Sequence, residues 1–217
     1  MKFFPLAFLL IWVKSLDSQS SLNVPFDYPT IQEALDTAAK GDSIFVFPGT
    51  YFENIEWPFA KDLQVIGVEG SEQTIIDGGG TERVLLIDSL TDKSLFQGFT
   101  LQNGLAEGIG GHGAGMMISR SALLLKDLII RDNVMAGPGW GTGAYLVFHE
   151  GDIDSCRFID NVNISDSDAG GIGLYLEATS DVEILSCEFT NNQSMSNISR
   201  GGGGLFLWVG ILIQQLY

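Results

Sequence analysis

Short segments of alternating apolar and polar residues make up most of the chain after residue 42, and Gly, Asn and Asp separate them. Leu174-Tyr175-Leu176 is one example. A period of two is typical of strands with one buried face, and the separating residues are turn formers. The pattern therefore predicts an all-β fold of many short strands.

One segment near the start has a helical period instead. Thr30 and Glu33 form a capping box, and the apolar positions 31, 34, 35 and 38 lie on one helical face before Gly41. We expect a short amphipathic helix at residues 30–40. It should cover one open end of the β structure.

The chain repeats itself with a period of about thirty residues. Four Gly-x-Gly blocks begin at Gly113, Gly141, Gly171 and Gly202, in steps of 28, 30 and 31 residues. A second recurring unit ends at a column formed by Gly104, Asn133, Asn161 and Asn192. Since Gly and Asn tolerate the left-handed backbone best, we predict a positive φ in this column. Repeats of this length are typical of solenoids.

The two arms of the repeat differ in regularity. The arm from the Gly/Asn column to the next Gly-x-Gly varies from 8 to 10 residues and is predicted to be a surface loop. The other arm keeps 20 or 21 residues and carries three apolar columns. These columns are Phe96, Leu125, Ile153 and Ile184; Phe99, Leu128, Cys156 and Cys187; and Leu101, Ile130, Phe158 and Phe189. They predict stacked coils whose side chains fill the interior of a parallel β-helix.

Two stretches carry a resemblance to a known family. Asp27-Tyr28-Pro29-Thr30-Ile31-Gln32-Glu33-Ala34-Leu35 is followed by Pro48-Gly49-Thr50-Tyr51-x-Glu53-Asn54-Ile55. Together they resemble the N-terminal cap and first coil of right-handed parallel β-helix proteins of the pectin-lyase-like superfamily. The resemblance covers roughly residues 24–207 and implies a right-handed parallel β-helix, and we expect residues 21–217 to form one such domain that is incomplete at its C-terminal end. It leaves the activity open, because one fold hosts many functions.

Enzymes of that superfamily include pectin methylesterases, pectate lyases and polygalacturonases, and no complete catalytic set of theirs is present here. The closest match is Gly111-His112-Gly113, which resembles the Gly-His-Gly of polygalacturonases, where paired carboxylates act as acid and base. The companion motifs are missing. We favour the alternative that His112 occupies one position of a repeated Gly-rich loop. Residues 108–113 also fit a dinucleotide-binding pattern, which would require a helix over 114–128.

Other side chains are candidates for ligand binding. Trp140, and with it Trp57, could stack on sugar rings, or a tryptophan could instead fold over the end of a coil. Short Asp-x-Asp runs can hold Ca²⁺, the one cofactor that the sequence suggests, and the alternative is that they are solvated loop carboxylates. These runs are Asp152 with Asp154 and Asp166 with Asp168.

Cys156 and Cys187 occupy one column in successive coils. Stacked strands lie within the distance that permits a disulfide, and export to an oxidising space would favour one. Neighbours in register point the same way, however. We therefore favour two free thiols in a ladder of small apolar side chains over the bridge.

Charge and the first residues bear on location. The chain has 27 acidic and 11 basic residues, a net charge of −16 and 45% hydrophobic residues. It should fold, and its charge argues against nucleic-acid or anionic-membrane partners. Lys2 and the apolar run Phe3–Val13 predict a signal peptide over residues 1–20, since the run is too short to span a membrane. We expect a secreted or cell-surface protein, and the last coil suggests a piece of a longer repeat protein.

These observations favour a secreted β-helix module without a recognisable catalytic site. Its expected role is extracellular polysaccharide binding or surface attachment. Two alternatives stay open at this point. One is a polysaccharide-degrading enzyme or a fragment of one, and the other is a scaffold or adhesin repeat protein.

Overall fold

The computed structural model describes residues 19–59, 62–91, 94–166, 168–195 and 202–208. The elements up to the third full coil are β1 (Ser21–Val24), α1 (Ile31–Thr37), β2 (Ser43–Val46), β3 (Gly49–Phe52), β4 (Ile55–Glu56), β5 (Gln64–Gly67), β6 (Thr74–Asp77), β7 (Leu85–Asp88), β8 (Leu95–Gln102), β9 (Leu105–Glu107) and β10 (Met116–Ser119). Those that follow are β11 (Leu124–Arg131), β12 (Val134–Ala136), β13 (Gly139–Trp140), β14 (Ala144–Val147), β15 (Ile153–Asp154), β16 (Arg157–Ile159), β17 (Val162–Asn163), β18 (Ala169–Gly170), β19 (Leu174–Glu177), β20 (Ile184–Leu185), β21 (Glu188–Thr190), β22 (Gln193–Ser194) and β23 (Leu205–Trp208).

Successive coils stack as a parallel β-helix. Each coil adds one strand to each of several sheets, and every recorded strand pair is parallel. Sheet A runs β1-β2-β5-β8-β11-β15-β20, and sheet B runs β4-β7-β10-β14-β19-β23. Sheet C runs β9-β12-β17-β22. The strand pairing confirms the predicted solenoid, and residues 114–128 form strands β10 and β11 rather than the helix that a dinucleotide site would need.

The predicted apolar columns lie in register inside the rod. Leu125 pairs with Phe96 and with Ile153, and Ile130 pairs with Leu101 and with Phe158. The last two members of the second of these columns also stack, since the rings of Phe158 and Phe189 lie parallel with centroids 4.9 Å apart. Because each coil is too thin to bury its own apolar face, burial between coils supplies most of the stability.

Helix α1 covers the first coil, as predicted, but it is shorter than the predicted residues 30–40. The Thr30 side chain accepts a hydrogen bond from the Glu33 N–H at 3.2 Å, so the capping box begins the helix. The Glu53 carboxylate accepts two more N–H groups, those of Ile31 and Gln32, at 2.9 Å each. The backbone of Ala38 is already extended, which ends the helix at Thr37.

The Gly/Asn column is an amide ladder, and the prediction of a positive φ there was wrong by one residue. The positive φ belongs to the preceding residues, Asn103, Asp132, Asp160 and Asn191, at 53–55°. Asn133 donates from Nδ2 to Asn161 Oδ1 at 2.9 Å, and Asn161 donates in the same way to Asn192 at 2.9 Å. Asparagine stands in this column because its amide can both donate and accept between coils.

The variable arm begins with a strand, so the prediction that it is only a surface loop was incomplete. It contains β9, β12, β17 and β22 of sheet C, and β13 pairs with β18. The arm ends at the Gly-x-Gly block, where the first glycine turns the chain toward sheet B. Gly141 has a φ of +60°, and a Cβ there would lie 2.1 Å from the Ala144 carbonyl oxygen. Only glycine fits this turn without strain.

Candidate functional site

An aromatic ladder lies on the outward face of sheet B. Tyr145, Tyr175 and Phe206 occupy one register position on β14, β19 and β23. The ring centroids of Tyr145 and Tyr175 are 5.6 Å apart, and those of Tyr175 and Phe206 are 5.0 Å apart. Stacked strands lie about 4.8 Å apart, so like positions on successive coils place the rings face to face. The result is a continuous column of rings along the rod.

A cavity of about 310 Å³ opens beside this ladder. We call it the aromatic cavity. Its lining residues are Trp140, Tyr175, Glu177, Phe206 and Trp208. Trp140 reaches it from β13 and packs 5.3 Å from Tyr175, while Trp208 is 55% exposed on β23. Four aromatic side chains and one carboxylate therefore line a single concave surface.

The carboxylate of the aromatic cavity is held by a neighbouring tyrosine. The Tyr145 hydroxyl donates a hydrogen bond to Glu177 Oε2. Burial, and then this hydrogen bond, raise the pKa of Tyr145, so the hydroxyl stays a neutral donor. No hydrogen bond to the second oxygen, Glu177 Oε1, forms among the described residues. That oxygen is available to a ligand.

His112 contacts two residues of this region, Tyr145 and Trp140. Its ring stacks on Tyr145 with centroids 4.5 Å apart, and its Nδ1 accepts the backbone N–H of Trp140 at 3.0 Å. Arg83 donates from Nε and Nη2 to the His112 carbonyl oxygen, which fixes the loop. Burial lowers the pKa of His112, so a neutral imidazole accepts the Trp140 N–H. His112 therefore positions Trp140.

The structure brings together two of the residues that the sequence singled out, Trp140 and His112. It does not place Trp57 with them. Trp57 is 3% exposed and packs edge-on against Phe96, so its proposed contact with sugar rings was wrong. Glu177 and the aromatic ladder were missed. The available signal was an aromatic residue in the middle of three of the four apolar triplets after Gly-x-Gly, as in Ala144-Tyr145-Leu146.

The four aspartates lie on two parts of the coil. Asp152 accepts the Glu183 N–H, and Asp154 pairs with Lys126 at 3.5 Å on sheet A. Asp166 and Asp168 lie in the segment between β17 and β18. No group of three or more His, Cys, Asp or Glu side chains that could hold a metal ion occurs in the described ranges. A calcium site at these aspartates stays a prediction.

The two cysteines are free thiols in the structure. Cys156 is buried and Cys187 is half-buried. The hydrogen bond between the two thiols and the burial of the site raise the pKa of Cys156. Each thiol also lies within 3.4 Å of a backbone carbonyl oxygen. A disulfide between them in an oxidising medium stays the alternative that the sequence left open.

Two other cavities are larger and chemically different. One, of about 370 Å³, is lined by polar and acidic groups that include Glu56, Glu82 and Glu107. Its arginine, Arg83, already donates hydrogen bonds to the His112 carbonyl oxygen. The other, of about 600 Å³, contains Asp77, whose carboxylate is satisfied by Gln102 and other neighbours. Neither concentrates aromatic rings, so the aromatic cavity is the better candidate.

No protein-family model matches the sequence. A solved structure of the pectin methylesterase from Aspergillus niger, penultimately deglycosylated, is 14% identical with a TM-score of 0.37, over 87% of this chain and 83% of that chain. The deglycosylated form is also 14% identical, with a TM-score of 0.31 over 89% and 84%. Both likenesses concern the backbone.

Part of the sequence lies outside the described residues. This part includes residues 1–18 of the predicted signal peptide and the apolar run after Trp208. Among the residues described, no helix combines the length and the apolar character needed to cross a bilayer.

Proposed function

We propose that the protein is a secreted β-helix module that binds glycans through the aromatic cavity on sheet B. The observation that carries the proposal is the row of rings from Trp140, Tyr175, Phe206 and Trp208 beside Glu177. Small-ligand sites are typically concave and mostly apolar, with a few placed polar groups. The aromatic cavity has this composition.

The chemistry of a sugar matches such a surface. The flat side of a pyranose ring carries C–H groups that pack on an aromatic face, while its hydroxyls need hydrogen-bond partners. Glu177 Oε1 can accept from a hydroxyl. The rings are held in place by their neighbours, since Tyr145 and Tyr175 are almost fully buried. A preorganised surface loses little entropy on binding.

Isothermal titration of the full chain with neutral and charged oligosaccharides tests the proposal. Trp140→Ala and Trp208→Ala should each weaken binding about tenfold or more, because each removes one stacking face. Phe59→Ala is the control, as this ring is also exposed but lies outside the aromatic cavity. Equal affinities for all four proteins would contradict the proposal.

Product analysis separates binding from degradation. The protein is incubated with pectin and alginate, and the reducing ends and unsaturated products are measured over time. Binding without products is the expected result. Turnover that disappears in His112→Ala would instead support the enzyme alternative and assign a catalytic role to that histidine.

A further inference from the structure

The aromatic cavity combines two features that together favour a positively charged ligand. Four rings, from Trp140, Tyr175, Phe206 and Trp208, line the space together with the carboxylate of Glu177. Tyr175 is stacked between Tyr145 and Phe206, so the exposed ring of Trp208 offers the most open face. The face of an aromatic ring is electronegative and attracts a cation placed over it. A carboxylate at the side of such a cage supplies the counter-charge.

We infer that the glycan bound in the aromatic cavity carries a protonated amine, as in a glucosamine oligomer. The inference rests on the proposed glycan-binding function and specifies its ligand. The ammonium group would lie against the rings and donate to Glu177 Oε1. The sugar ring to which it is attached would stack on Trp140 or Trp208.

Glu177 is placed for this contact by its neighbours. The Tyr145 hydroxyl donates to Oε2, Oε1 accepts no hydrogen bond from the described residues, and Glu177 lines the cavity. Glu177 is itself half-buried, so its charge is less screened than that of a fully exposed carboxylate. No lysine or arginine is among the five residues that line the cavity. Its electrostatic preference therefore comes from the carboxylate and the rings.

The charge of the whole chain acts in the same direction. With a net charge of −16, the protein attracts a polyamine-like polymer at long range and repels a uronate polymer. A uronate bound here would also bring its carboxylate near Glu177, where like charges oppose binding. The amino sugar is the glycan class whose charge complements both the cavity and the protein.

Three oligosaccharides of equal length test the inference by titration calorimetry at mildly acidic pH and low salt. They are a glucosamine oligomer, its N-acetylated counterpart and a galacturonate oligomer. We expect the glucosamine oligomer to bind about tenfold more tightly than the N-acetylated one, because acetylation removes the charge. The galacturonate oligomer should bind most weakly.

A charge-removing substitution tests the role of the carboxylate. Glu177→Gln retains an oxygen that can accept the Tyr145 hydroxyl, and it should reduce the preference for glucosamine over N-acetylglucosamine to about twofold. Glu69→Gln, in the exposed turn between β5 and β6, is the matched control and should keep the full preference. Circular dichroism confirms that both variants are folded.

The outcomes separate this inference from the proposal on which it rests. Equal binding of the two hexosamine oligomers, or an unchanged preference in Glu177→Gln, would overturn the amino-sugar inference and leave glycan binding intact. A failure of all three oligosaccharides to bind the wild-type protein would overturn the proposed function as well.

Discussion

Two ladders of like side chains run along the rod, one inside it and one on its surface. The amide ladder consists of Asn133, Asn161 and Asn192, and its members hydrogen-bond to one another and to backbone carbonyls. The members of the aromatic ladder stack through their ring faces, and two of them, Tyr175 and Phe206, also line the aromatic cavity. The same thirty-residue repeat thus builds both, and the direction of the side chain decides whether a ladder stabilises the fold or offers a binding surface.

The largest effect is expected in the amide ladder. Asn161→Ala should lower the free energy of unfolding by about 3 kcal/mol, because it leaves several buried hydrogen-bonding groups of the adjacent coils without partners. Urea denaturation measures the change. Gln193→Ala, at an exposed outward position of β22, is the control and should cost little. A cost at Asn161 no greater than at Gln193 would remove the contrast between the two ladders.

A buried histidine outside the amide ladder should make stability depend on pH. His149 is fully buried, and its ring nitrogens have no hydrogen-bond partner within the described residues. Burial lowers its pKa from 6.5 to about 4. This effect outweighs the backbone of Gly151 and Ser121 and the charge of Asp152, which raise the pKa. The unfolded chain therefore takes up the proton first as the pH falls. The contribution of His149 to the free energy of unfolding should be fully present above about pH 6.5, and it should decline by about 3 kcal/mol as the pH approaches 4.

Urea denaturation at several pH values checks this linkage. His149→Leu removes the titrating group and keeps an apolar side chain, so its stability should depend less on pH over the same range. A wild-type protein and a variant with identical pH profiles would show that other groups, such as the carboxylates, dominate the acid response.

A smaller effect is expected where the aromatic ladder meets Glu177. Tyr145→Phe keeps the stacked ring but removes the hydroxyl that donates to Glu177, and it should cost about 1 kcal/mol of unfolding free energy. Tyr175→Phe is the matched control, since the Tyr175 hydroxyl forms no hydrogen bond within the described chain. Thermal denaturation of both variants measures the difference. A similar loss in both would mean that the hydrogen bond contributes nothing specific.

The smallest effect belongs to the charged outer face of sheet A. Lys126 pairs with Asp154 at 3.5 Å, and the lysine is 44% exposed. Exposed ion pairs contribute about 0.5 kcal/mol or less. Lys126→Ala should therefore leave the urea midpoint and glycan affinity nearly unchanged. A large loss of affinity would place the ligand on sheet A instead of the aromatic cavity.

The fold could be predicted because it repeats. Apolar columns recur with the coil length, so Leu125 and Ile153 could be paired from the sequence alone. Positions that do not repeat closely were harder to interpret. Glu177 follows Val147 in its register column and precedes Trp208, so no periodic signal marked it.

The errors have physical causes of their own. Asparagine favours both left-handed turns and side-chain ladders, and composition alone cannot separate these uses at Asn133. Trp57 and Trp140 were alike in sequence as isolated tryptophans, yet only Trp140 lies between two glycines on the variable arm. Burial in the stacked coils, which depends on the whole rod, distinguished them.

Two packed asparagines, Asn192 of the amide ladder and Asn163 of β17, also bear on how the chain could be produced. Asn163 and Asn192 each begin an Asn-x-Ser triplet, the acceptor for N-linked glycosylation. Yet Asn192 Nδ2 donates to the Phe158 carbonyl oxygen at 2.8 Å, and Asn163 is fully buried. An oligosaccharide attached to either nitrogen during synthesis would occupy the space of the neighbouring coil. A host that modifies these triplets before the coils close would therefore yield chains that cannot complete the rod.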